Sequence, residues 1–132
     1  MGVALGSIDG RFRPLLRIRC SNGGDEILAL LDTGFNGELL CDRIVAAEIG
    51  TIPSGRSDSV ELAGHIKSQA QVGHATILWL GQPRQVRVLV SMAPPARHVD
   101  GEPVAIVGGA LLAPSLVLLD YAAMTVEIEA QE

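Results

Sequence analysis

The strongest constraint on the fold of this chain is a short, wholly apolar segment that runs directly into a polar turn. Ile27–Leu31 contains only Ile, Leu and Ala, and Asp32, Thr33 and Gly34 follow at once. An apolar run of this length, bounded by turn residues, is typical of a strand buried on both faces. A carboxylate at the end of such a strand is poorly solvated, which favours its protonated form unless a partner compensates. Asp32 is therefore a candidate acid–base group, although Asp-x-Gly is also ordinary turn chemistry.

The remainder of the chain is a series of short strand patterns separated by turn signals. Valines alternate with polar residues in Arg84–Val90, and Met124–Glu129 repeats the same period of two. The predicted strands are Val3–Ile8, Leu15–Cys20, Glu26–Leu31, Ser59–Leu62, Ile66–Leu80, Arg84–Val90, Val104–Val107, Leu116–Asp120 and Met124–Glu129. Many short strands with little helix predict a mainly β fold, a closed and mostly antiparallel barrel.

Two helical pieces and two irregular segments complete this pattern. A helix is predicted from Asp42, which can cap its start, to Ile49, and a shorter helical turn follows Gly109. Residues 53–57 are interpreted as a small polar loop, and residues 93–103 as a long Pro-rich loop.

Composition limits the classes of protein that the chain can represent. Its 132 residues fit a single domain, residues 1–132, and the scarcity of aromatic residues predicts a core of Val, Ile, Leu and Ala. A net charge of −5 argues against a nucleic-acid partner, and the arginines at 11, 13, 17 and 19 are interpreted as a solvated strand face. Glycines and Pro114 interrupt the uncharged stretch 103–119, so we expect no membrane span. Cys20 and Cys41 are too few for a disulfide scaffold, and without a secretory pattern at the start we expect a cytoplasmic protein.

A second motif, Ile106-Val107-Gly108, lies near the C-terminal end of the chain. Together with the Asp loop, and with the longer match Leu31-Asp-Thr-Gly-Phe-Asn-Gly-Glu-Leu-Leu40, it resembles the retropepsin-like aspartic proteases, and most of all their small stand-alone prokaryotic members. The resemblance extends from about Val3 to Ile128. It implies a closed acid-protease barrel, one lobe with one or two short helices.

The resemblance also implies a role for each matched residue. Asp32 would be the catalytic carboxylate, Thr33 would hydrogen-bond across a twofold axis, and Gly34 would allow close backbone approach. Ile106, Val107 and Gly108 would pack beneath the Asp loop and fix its direction. The flap over the substrate would be the hairpin tip Ala63-Gly64-His65, although an ordinary surface hairpin explains those residues equally well.

Because the chain has a single Asp-Thr-Gly, the resemblance implies an aspartic endopeptidase that is active only as a homodimer on a peptide or protein substrate. Three positions depart from many relatives: Phe35 replaces a small or hydroxyl residue, the flap region lacks an aromatic, and Gly109 replaces a charged or polar residue.

The alternative is a catalytically silent module of the same fold that dimerises or binds an extended peptide. A structural barrel in which Asp32 is only a turn residue is a third possibility. No cofactor is expected, and the three histidines lack the spacing of metal ligands.

Overall fold

The computed structural model describes residues 2–62 and 66–131, and within them the chain is mainly β with two short helices. The strands, in chain order, are β1 Val3–Ile8, β2 Pro14–Cys20, β3 Ile27–Leu31, β4 Leu39–Cys41, β5 Ile52–Leu62, β6 Ile66–Trp79, β7 Gln82–Ser91, β8 Ala105–Val107, β9 Ser115–Asp120 and β10 Thr125–Ala130. The helices are α1 Arg43–Glu48 and α2 Gly109–Leu112.

Six of these strands close into a barrel. Their order around it is β6, β7, β4, β8, β3 and β2, and β2 pairs back with β6 at Cys20 and Ile77. The pairs β3–β8 and β4–β7 are parallel, and the other pairs are antiparallel. β5 adds to β6 as a long hairpin, while β1, β10 and β9 continue outward from β2 as an antiparallel sheet. The predicted closed, mainly β barrel with short helices is confirmed.

The barrel core is filled by aliphatic side chains, as the composition predicts. Alternating residues such as Val86 and Val88 on β7, and Val126 and Ile128 on β10, are almost completely buried. Within the described chain, Trp79 is the one aromatic residue of this main core. The core therefore depends on the close packing of branched aliphatic side chains, which tolerates little change in volume.

Two segments that the sequence pattern assigned to loops or left unassigned are strands. Residues 53–57, interpreted as a polar loop, belong to β5, which pairs with β6 through an irregularity between Pro53 and Arg56. The positive φ of Gly55, +79°, and a 2.8 Å hydrogen bond from Ser54 Oγ to the carbonyl of Val72 accommodate the extra residues. The short β4 was also missed, because three residues carry too little periodicity to be recognised.

The first predicted helix is present, slightly shorter than expected. α1 begins after Asp42, whose Oδ1 accepts a 2.9 Å hydrogen bond from the amide of Val45, so the predicted N-cap is confirmed. Gly50, with φ +75°, follows the end of the helix as predicted. The second helical turn is α2, which begins at Gly109.

Candidate active site

The two motifs singled out in the sequence lie side by side at the ends of two parallel strands. β3 and β8 pair in the register Leu30–Ile106 and Leu31–Val107, and the amide of Asp32 then donates to the carbonyl of Val107 at 2.9 Å. Asp32 is therefore the first residue after a buried strand, as the apolar run predicts. Ile106 and Val107 lie directly alongside the strand that leads into the Asp loop.

The carboxylate of Asp32 lies at the protein surface, within a tight loop. Asp32 is half-buried, while Thr33 and Gly34 are exposed. The amide of Gly34 donates to Oδ1 of Asp32 at 2.9 Å, and the amide of Phe35 donates to the carbonyl of Asp32 at 3.1 Å. One carboxylate oxygen is thus held by the loop's own backbone, which orients the group.

Gly108 supports this loop from below by close backbone contact. The amide of Gly109 donates to the carbonyl of Phe35 at 2.7 Å, and the amide of Ala110 donates to the carbonyl of Gly37 at 3.2 Å. A Cβ on Gly108 would stand 2.4 Å from each of these two carbonyl oxygens. Because glycine has no Cβ, it is the one residue at position 108 that allows the Asp loop and the start of α2 to approach this closely.

Phe35 connects the Asp loop to the β5–β6 hairpin. Its side chain is 1% exposed and packs in a second cluster with Val60, Ala70, Val72 and Leu89. Val60 comes from β5, and Ala70 and Val72 come from β6, so the hairpin lies over the ring. The departure noted at Phe35 therefore has a structural role, because an aromatic ring joins the loop to the hairpin. The proposed flap residues Ala63, Gly64 and His65 lie outside the described residues.

A cleft lies on the outer face of the barrel, along the strands that precede and support the Asp loop. Leu30, Ile106 and Leu40 lie in one row across β3, β8 and β4 and line a cavity of about 400 Å³. Asp32 follows Leu30 by two residues, just past the end of β3, and this row of residues comes from the strands on the near side of the Asp loop. Leu40 and Ile106 also contact the cluster around Phe35, so this apolar row continues beneath the hairpin.

The Pro-rich loop forms the far wall of the cleft and is attached at two points. Nε2 of His98 lies 2.9 Å from Oδ2 of Asp42, and Nη1 of Arg13 lies 2.7 Å from Oε2 of Glu102. Burial alone would raise the pKa of Asp42, but the Val45 amide and His98 outweigh it, so the pKa is lowered. The hydrogen bond from Arg13 likewise lowers the pKa of Glu102. Both carboxylates are therefore held in their charged, bonded form.

Sequence reasoning did not identify one ion pair that lies behind the Asp loop. Glu38 is 21% exposed at its side chain and bonds Arg84 of β7, with 3.0 Å between Oε2 and Nη2. The two residues are 46 positions apart, so no local pattern in the sequence could have revealed the pair.

Other chemistries find little support in the described part of the chain. Among residues 2–62 and 66–131, no group of His, Cys, Asp and Glu is arranged to hold a metal ion. Burial raises the pKa of the Cys41 thiol to about 12, and burial also raises that of Cys20, so neither is an activated nucleophile. No helix in these residues has the length and apolar character needed to cross a membrane.

Comparison with known proteins gives a structural relationship only. No family model matches the sequence, and no curated protein matches it either. The fold is similar to that in the crystal structure of a retropepsin-like aspartic protease from Rickettsia conorii, with a TM-score of 0.64 over 96% of this chain and 89% of that one. At 13% sequence identity, the similarity establishes a shared fold.

Proposed function

We propose that this protein is an aspartic endopeptidase, active as a homodimer to which each chain contributes Asp32. The observation that carries the proposal is the geometry of the Asp loop. A surface carboxylate follows a buried strand, is held by the Gly34 amide, and is supported by the Gly108 turn. A protein of similar fold, from Rickettsia conorii, is a retropepsin-like aspartic protease.

The chemistry requires two carboxyl groups that share one proton. Two like charges in close contact cannot both ionise, so a pair of Asp32 side chains would retain a proton over a broad pH range, as in the aspartic proteases generally. The ionised member would take a proton from a bound water while the protonated member polarised the scissile carbonyl. The pair titrates as a unit, so neither carboxyl has a pKa of its own.

An exposed edge strand offers a surface on which a second copy could dock. β9 ends the sheet, and its leucines at 116 and 118 are 55% and 56% exposed. An apolar edge of this kind favours pairing with another strand, and antiparallel β9–β9 pairing has the twofold symmetry of a shared site. β9 also begins just after α2, whose first amides bond the Asp loop. A partner at this edge would therefore stand close to the Asp loop.

The cleft that begins at Leu30, two residues before Asp32, would suit an extended peptide that continues over the Asp loop. Its floor is the apolar row Leu30, Ile106 and Leu40, which favours aliphatic side chains next to the cleaved bond. The β5–β6 hairpin packs on Phe35, and Leu40 and Ile106 contact the same cluster, so the hairpin would cover such a peptide. A tip of Ala63, Gly64 and His65 would close the flap.

A silent module of the same fold is the second candidate, and Phe35 is the observation that favours it. This side chain offers no hydroxyl to the Asp32 carboxylate and is committed to packing. Such a module would bind an extended peptide or assemble as a dimer without hydrolysis. Its peptide binding would survive the loss of the Asp32 charge.

The experiment compares peptide cleavage by the wild-type chain, by Asp32→Asn and by Asp25→Asn. Asp25 is an exposed loop residue and provides a matched control for the loss of one carboxylate. We expect Asp32→Asn to abolish hydrolysis while its circular dichroism and dimer mass stay those of the wild type, and Asp25→Asn to remain active. The statine-type inhibitor pepstatin should raise the thermal midpoint of the wild type. Full activity in Asp32→Asn would exclude the proposal.

A further inference from the structure

Glu38 is the last residue of the Asp loop, and both oxygens of its carboxylate accept hydrogen bonds from β7. Oε2 accepts from Nη2 of Arg84 at 3.0 Å, and Oε1 accepts from the main-chain amide of Arg87 at 2.8 Å. Both bonds are charge-assisted, and Glu38 is mostly shielded from water. The end of the loop is therefore fixed to a central strand of the barrel rather than left to the solvent.

The guanidinium of Arg84 reaches a second element at the same time. Its Nη1 lies 3.5 Å from the carbonyl of Leu111 in α2, while Nη2 holds Glu38. The backbone joins the same two parts, because the amide of Gly108 donates to the carbonyl of Glu38 at 3.1 Å. Arg84 thus bridges the end of the Asp loop and the short helix that supports the loop from below.

We infer that Arg84 and Glu38 are positioning residues for Asp32: they hold the loop against α2 and β7 and so set the direction of the carboxylate. This inference rests on the proposed peptidase function. The first turn of α2 fixes the middle of the loop through Phe35 and Gly37, whereas the end of the loop depends on Glu38. Loss of Arg84 would leave Glu38 half-buried without its cation, and the carboxylate would move towards water.

Arg87 provides a matched control on the same strand. Its guanidinium pairs with Asp58 at 2.7 Å, where both side chains are more than 40% exposed. Only its main-chain amide bonds Glu38, and that amide stays in Arg87→Met. Arg84→Met and Arg87→Met therefore remove the same kind of side chain, one behind the Asp loop and one from the outer surface.

The test measures turnover and loop geometry in both variants. A displacement of the catalytic group by about 1 Å lowers a rate by about 100-fold, so we expect kcat of Arg84→Met to fall by about 10- to 100-fold with a small change in KM. Arg87→Met should remain within about 2-fold of the wild type. The amide of Gly34, which bonds Asp32 Oδ1, should exchange its hydrogen faster in Arg84→Met alone.

Each outcome separates this inference from the proposed function. Equal kcat and equal Gly34 exchange in the two variants would overturn the positioning role while leaving an Asp32-dependent peptidase intact. A wild-type chain without hydrolysis would overturn the peptidase, and Gly34 exchange would still show whether Arg84 holds the loop. If Arg84→Met does not fold, Arg84→Lys serves as the second variant. It keeps a positive charge beside Glu38 but lacks the guanidinium whose two nitrogens reach Glu38 and Leu111. We expect it to fold and to lose turnover to an intermediate degree, and wild-type turnover in it would contradict the inference.

Discussion

Replacing Gly108 by alanine tests whether the Asp loop is held by close backbone contact. The added Cβ would stand 2.4 Å from the carbonyl oxygens of Phe35 and Gly37 and 2.5 Å from Cδ2 of Phe35. The φ of Gly108 is −107°, an extended conformation open to any residue, so the backbone itself imposes no strain. The whole cost of the substitution lies in these contacts.

The magnitude follows from what must move to make room. Both carbonyls accept hydrogen bonds, from the amides of Gly109 and Ala110, and retreat from the new methyl group breaks these bonds. Two lost bonds cost about 2 kcal/mol in total. Crowding against the Phe35 ring adds about 1–3 kcal/mol. The free energy of unfolding should therefore fall by about 3–5 kcal/mol, a large part of the stability of a domain this size.

Urea unfolding measures this loss, with Gly109→Ala as the control. A Cβ on Gly109 would meet its nearest neighbours at 3.7 and 3.9 Å, which is ordinary contact, and alanine favours the helix by up to about 1 kcal/mol. With a slope of about 2 kcal/mol per molar urea, the Gly108→Ala midpoint should fall by about 2 M at fixed protein concentration. A Gly108→Ala midpoint equal to that of Gly109→Ala would refute the argument for a close-contact support.

Three further outcomes are expected. Leu118→Lys on β9 should shift the protein to monomer in sedimentation. Ile52→Lys changes an exposed residue of β5 and should leave the dimer intact. A dimer unchanged by Leu118→Lys would exclude the β9 interface. Phe35→Ala should lower the free energy of unfolding by about 3–5 kcal/mol and speed hydrogen exchange in the β5–β6 hairpin. Hydrogen exchange equal to that of the wild type would show that the Phe35 ring does not stabilise the hairpin. The pKa of Asp42 is lowered in the folded chain because the Val45 amide and His98 outweigh burial, so its stabilisation is present at neutral pH and is lost as pH falls through that folded pKa. His98→Ala should make the acid-side loss of stability shallower, and an unchanged pH profile would contradict this.

Much of the fold could be predicted because strand periodicity and turn residues act locally. The alternation of Val86, Val88 and Val90 and the apolar run before Asp32 each identified a strand from neighbouring residues alone. β4 and the first half of β5 were missed, because pairing with partners far along the chain stabilises them. Local polarity at residues 53–57 is overridden there by the ladder with β6.

The site could be predicted only in part, for the same reason. Asp32 and Gly108 could be singled out because each lies in a short motif, and in the structure they directly follow two adjacent strands. The pair Glu38 and Arg84 joins residues that are close only in the folded barrel. Gly109 stands where many relatives of the resembled family have a charged or polar residue. In this chain, the guanidinium of Arg84 approaches α2 from β7 at the carbonyl of Leu111.

The most direct test of the shared site is a mixing experiment. Wild-type and Asp32→Asn chains are refolded together in varied ratios, and hydrolysis is measured at a fixed total concentration. If both chains contribute Asp32 to one dyad and pair at random, activity should follow the square of the wild-type fraction, with about a quarter of the dimers competent at equal mixing. Activity that falls linearly, with about half retained at equal mixing of freely exchanging chains, would contradict the homodimeric dyad.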